Sequence, residues 1–204
     1  MRERCSMKRF FTLILPPIAA LLLLAATTAI ATTQFVRWDI VNLTVVNGIP
    51  TISAGGIATA IAEDGSKIIL TGSGTFVFPS AIGSTVVNGG GIWKTFSPTG
   101  HLTGQGSYVV TNYLNFRFAS GFLPSGVNDE IGEADDAHSG LAHLRILYSD
   151  GHRGVLIISC NLPGGELPNR FEGITVSKEA VDFWNRTDPV TGVNANRTLF
   201  HTIP

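Results

Sequence analysis

Apolar and polar positions alternate with a period of two through much of this chain. Ile68, Leu70, Phe76 and Phe78 fall on one parity, while Ile69, Thr71, Ser73 and Thr75 take the other. Val110, Leu114, Phe116 and Phe118 repeat the pattern against Thr111, Asn115 and Arg117. A strand projects successive side chains to opposite faces, so this rhythm predicts strands with one face on a core. Gly72 and Gly74 interrupt the first run and predict a bend or bulge there. Between Phe35 and Val46 the phase changes: Val36, Trp38 and Ile40 share one parity, and Val41, Leu43 and Val45 the other. One extra residue in a strand reverses every later side chain, which predicts a bulge near Ile40.

Three dipeptides mark turns between these runs: Asn47-Gly48, Asp64-Gly65 and Asp150-Gly151. Each fits the two central residues of a tight hairpin, where positive φ is required. A two-residue turn at Asp150-Gly151 sets Leu144 opposite Ile157 and Ile146 opposite Val155. On the other side it sets His143 against Ile158, Arg145 against Leu156, and Leu141 against Cys160. That second side is too apolar to face water, so it is expected to be covered as well. His143 and Arg145, the polar groups among those side chains, are therefore the candidate ligand-binding residues, or parts of an oligomer interface. The competing expectation is plain packing, with Arg145 reaching out to solvent.

Residues 83–91 and 97–106 read as loops, as does the polar stretch 121–139 with Asp129, Glu130, Glu133, Asp135 and Asp136. The acidic cluster lacks EF-hand spacing and is expected to be solvated. A second irregular link runs from 163 to 168. Ser177 to Asn185 is the one predicted helix, capped by Ser177 with Val181 and Trp184 on one face. About eight to ten short strands joined by hairpins, with at most one or two short helices, predict an all-β antiparallel barrel or sandwich.

The N-terminus has a different character. Arg2, Arg4, Lys8 and Arg9 precede an uncharged run from Phe10 to Val36, and Ala29-Ile30-Ala31 supplies small residues at cleavage spacing. This predicts a secretory signal peptide over 1–31 and a single extracytoplasmic domain over 32–204, with no stable membrane anchoring once the leader is removed. The predicted mature domain carries 10 basic and 14 acidic residues, which argues against nucleic acid and anionic surfaces as partners. Only Cys160 remains in it, so no intrachain disulfide is available, and the thiol is expected to be buried and inert. Charged residues make up only 14% of the chain against 44% hydrophobic, enough apolar surface to form a core without staples.

Motifs for chemistry are absent. There is no G-x-S-x-G, H-E-x-x-H, phosphate-binding loop, dinucleotide fingerprint or C-x-x-C, and neither a cofactor nor a metal is expected. The leading expectation is a secreted, non-enzymatic module that binds a small molecule or a protein partner. Two others stand beside it: a secreted hydrolase-like enzyme using scattered groups such as Glu172, Asp182 and His143, and a surface-assembly protein pairing through exposed strand edges.

Overall fold

The structure, a computed structural model, describes residues 32–165, 171–179, 182–186 and 196–203. The predicted signal peptide lies outside the described residues. Among the described residues the fold is all-β, with one 3-10 turn at Ala134–Asp136. Its strands are β1 (Gln34–Val46), β2 (Ile49–Ala54), β3 (Ala58–Ile61), β4 (Lys67–Leu70), β5 (Ser73–Phe78), β6 (Val87–Phe96), β7 (Leu102–Ala119), β8 (Asn128–Asp129), β9 (Ala137–Tyr148), β10 (Arg153–Cys160), β11 (Gly173–Lys178), β12 (Asp182–Arg186) and β13 (Arg197–Ile203). Every pairing is antiparallel except β2 with β8.

The ladder closes on itself. Strand β9 pairs with β7 on one edge and β10 on the other, and the path β10-β11-β12-β3-β4-β6-β7 returns to β9. Strands β5, β1 and β13 bridge β6 to β9 a second time. Closure removes the edges that an open sheet would expose. Within the ring, Ile68, Leu70, Leu144, Ile146, Leu156, Ile158, Ile174 and Val176 are fully buried. Phe76, Tyr113, Phe116 and Phe200 pack edge-on and tilted, with centroids 5.0–5.5 Å apart, where the bridge joins the ring.

Four local expectations are corrected. Strand β1 holds an unbroken register with β13 from Phe35 to Val41, so there is no bulge at Ile40. The phase change arises because Asp39, Ile40 and Val41 are buried on both faces: the core takes Trp38 and Ile40, and the 121–136 segment covers the odd side. Of the segments expected as loops, 87–91 and 102–106 are instead the start of β6 and the start of β7, while 83–86 and 97–101 connect strands. The β6 glycines permit close crossings, since a Cβ on Gly91 would lie 1.9 Å from the Thr71 carbonyl oxygen, and one on Gly90 2.1 Å from that of Tyr108. The expected helix at 177–185 is instead the β11–β12 hairpin, with Val176 opposite Trp184. Ile174 and Val176 already point inward at strand period, and one short helical face could not match the ladder bonds gained.

The fourth correction concerns register. Asn47-Gly48 is the expected two-residue turn, both residues at positive φ, with Val46 opposite Ile49. At Asp150-Gly151 the loop has three residues, Ser149 to Gly151, and Tyr148 pairs with His152. Asp150 accepts the His152 N–H through Oδ1, and Gly151 takes the left-handed position at φ +90°. Glu63-Asp64-Gly65 repeats this geometry, with Asp64 accepting the Ser66 N–H. The extra residue moves the pairing by one: Leu144 faces Leu156, Ile146 faces Gly154, His143 faces Ile157, and Arg145 faces Val155. The two apolar sets thus merge on a single inward face.

Candidate functional site

The 121–136 segment creates the site. It lies across the side of β1 and β13 opposite Trp38 and Phe200, pinned by Asp129. The Asp129 carboxylate accepts the N–H groups of Ile131 and Gly132 at 2.9 and 3.3 Å through Oδ1, and its Oδ2 lies 2.8 Å from His201 Nε2. The Glu130 N–H donates to the Ile52 carbonyl, and Asn128 and Asp129 pair with Thr51 and Ile52. Part of the acidic stretch is solvated, as at Glu130, Glu133 and Asp135, but the Asp129 side chain is buried.

Beside this strap a recess of about 200 Å3 opens to solvent. Val41, Leu43 and Ile52 wall it from the β1–β2 hairpin, and Leu123, Val127 and Leu162 from the other side. Its polar lining residues are Asn161, Glu172, Arg197 and Thr198. Glu172 Oε2 accepts the Asn161 N–H at 2.6 Å, and Oε1 accepts the Thr198 N–H at 2.7 Å. The carboxyl group thereby ties the end of β10 to the start of β13. Burial pushes its pKa up, against the pull of those two N–H donors and the Arg197 charge, to about 7. Among the described residues, no hydrogen bond or close salt bridge occupies the Arg197 guanidinium, whose charge acts on Glu172 and Cys160. Cys160, fully buried nearby, has its thiol pKa raised well above the ordinary value by burial and by the Glu172 charge.

The residues singled out in the sequence fall in different places. Arg145 is exposed on the outer face of β9, beside a shallow depression shared with Arg153, Ser177 and Glu179. His143 is half-buried on the same face, and burial lowers its pKa. The covered second face expected for the β9–β10 hairpin does not form, because the one-residue register change turns Leu156, Ile158 and Cys160 inward. Of the scattered acid–base set, Glu172 lines the recess and His143 does not; the Asp182 side chain lies outside the described residues. Arg197 was missed in the sequence, where it sits in a short run with no partner signal; its position depends on segments more than a hundred residues apart. Among the described residues no three His, Cys, Asp or Glu side chains gather as a metal site.

No protein-family model matches the chain, and neither curated proteins nor solved structures give a match.

Proposed function

We propose that this domain is an exported, non-catalytic binding module whose ligand is a small amphiphile: an apolar body seated in the recess and an anionic head on Arg197. The single observation that carries this reading is the Arg197 guanidinium, which no hydrogen bond occupies among the described residues, set between the apolar walls of the recess and the Glu172 carboxyl. A charge held beside low-dielectric walls gains most from an opposite charge delivered by a ligand, and Arg matches a carboxylate with two parallel N–H donors. Glu172 favours an anchor over a catalyst here, because both of its oxygens already accept backbone N–H groups.

Calorimetric titration with straight-chain carboxylates from hexanoate to decanoate tests the proposal, with decanol and decylammonium as head-group controls. Saturable binding of the carboxylates, weakened about tenfold or more in Arg197→Ala, is expected, since a charge-assisted pair contributes roughly 1.5–3 kcal/mol. Equal binding of decanol, or no effect of Arg197→Ala, would refute the role assigned to the guanidinium.

A further inference from the structure

The β1–β2 hairpin leaves the body of the fold. Among the described residues, β1 pairs with β13 as far as Val41, and from there to Val46 with β2 alone. Residues 44–50, the end of the hairpin, are all exposed. Val45 is 71% exposed, and Val46 and Ile49 are 50% exposed. Val45 stands opposite Pro50, and Val46 opposite Ile49. Successive side chains alternate across a strand, so the two pairs lie on opposite faces of the hairpin, and both faces end in apolar groups. The Val45–Pro50 face continues into the Arg197 recess, whose wall includes Leu43, Pro50 and Ile52.

Phe122 flanks the recess from the other side and is 62% exposed. Its N–H donates to the Pro163 carbonyl, and its ring lies over Gly164, where a Cβ would stand 2.4 Å from Phe122 Cε1. Both Pro163 and its own neighbour Leu123 line the recess. The three segments that carry these groups, residues 40–62, 118–128 and 154–165, contain no Asp, Glu, Lys, Arg or His. Among the described residues, the charges on neighbouring strands are set back from the tip. Arg197 pairs with Val41 at the base of the hairpin, so Val46 reaches up to about 17 Å beyond it along the strand. Strand β8 runs parallel to β2 beside Thr51 and Ile52, which carries Glu130 and the acidic residues after it away from Ile49.

We propose that the tip of the β1–β2 hairpin, with Phe122 beside it, docks reversibly on a neutral lipid bilayer, with Val45, Val46, Ile49 and Pro50 entering one leaflet. A groove on another protein would cover one face of the hairpin and leave the other apolar pair in water, whereas hydrocarbon receives both. The charge-free rim lets the tip enter without desolvating a carboxylate or a guanidinium. The outward N–H and C=O groups of a two-stranded hairpin still need water or headgroups, so entry is shallow. Attraction comes from buried apolar area rather than from charge, in keeping with the acidic excess of the predicted mature domain. This docking goes beyond the amphiphile reading and stands without it, because the tip does not need a ligand in the recess.

The test uses the full chain with Cys5→Ser and Val46→Cys, labelled with an environment-sensitive fluorophore and titrated with vesicles of dioleoylphosphatidylcholine. Cys160 is buried, so the label goes to position 46. Ile82→Cys on the same background is the control. Ile82 is also exposed and apolar, but its loop follows Phe78, which pairs with Gln34 at the far end of β1. The label at 46 is expected to shift to the blue, saturably with lipid and undiminished by raised salt, while the label at 82 does not shift. Ile49→Asp should raise the lipid concentration needed about tenfold or more. Arg197→Ala should leave the shift unchanged, which separates failure of docking from failure of the amphiphile site. No shift at 46, an equal shift at 82, or an undiminished shift in Ile49→Asp would overturn the proposal. So would a blue shift at 46 without vesicles that grows with protein concentration, since that would place a second copy of the chain on the hairpin.

Discussion

His201 Nε2 lies 2.8 Å from Asp129 Oδ2 across a gap of 72 residues, and the two side chains are only 3% and 2% exposed. That contact holds the 121–136 strap onto β13, and the strap is one wall of the Arg197 recess. Truncating Asp129 would strand His201, whose Nδ1 has no partner among the described residues, and would release the Ile131 and Gly132 N–H groups. Asp129→Ala is expected to destabilise the domain by roughly 3–5 kcal/mol, read from urea midpoints. A loss below about 1 kcal/mol would mean that the apolar contacts of the strap suffice without the pair.

Glu172 makes stability depend on pH. Burial, working against its two N–H donors, places its folded-state pKa at about 7, above the ordinary value of 4.5. The folded protein then holds a proton that the unfolded chain has lost between those values. The stabilising contribution is full below pH 4.5 and declines as pH rises through 7, by about 3 kcal/mol in all. Urea unfolding of wild type and Glu172→Gln at pH 5 and pH 8 checks this. The difference between the two proteins should change in the sense that wild type alone loses this stability at the higher pH. A constant difference would place the carboxyl group at an ordinary pKa.

Gly91 is a packing position rather than a turn. A Cβ there would stand 1.9 Å from the Thr71 carbonyl oxygen, which is backbone and cannot swing aside. Gly91→Ala should cost several kcal/mol, whereas Ile92→Ala, next to it and exposed, should cost little. Similar melting temperatures for the two variants would show that β4 and β6 do not approach this closely.

Cys160 should resist a bulky thiol reagent in the native protein and react on unfolding. It is 1% exposed, and its thiol is held protonated by burial and by the Glu172 charge. Rapid native labelling would place the end of β10 at the surface.

What the sequence revealed and concealed follows from the range over which each signal acts. Asn47-Gly48 was readable because a type I′ turn is set by two adjacent residues. The strands around Ile68, Phe76 and Phe116 were readable because alternation is local. Strand β6 was not, since Gly89 to Gly91 look like a loop until Thr71 and Tyr108 are known to press against them. Asp150-Gly151 misled by one residue because the same dipeptide ends a three-residue loop equally well, and only the ladder beyond the turn decides between the two. Glu172 stood out as a lone acid, but its recess is assembled from β1, β2, the strap, the end of β10 and β13, and no linear motif records such an assembly.

The central claim is that the recess beside the strap takes an anionic amphiphile on Arg197, and a crystal structure of the protein grown with decanoate tests it most directly. The account predicts an alkyl chain between Leu43 and Val127, with its carboxylate within hydrogen-bond reach of the Arg197 guanidinium and the Glu172 contacts to Asn161 and Thr198 unchanged. Decanoate bound elsewhere, or lying in the recess with its carboxylate turned away from Arg197, would contradict it.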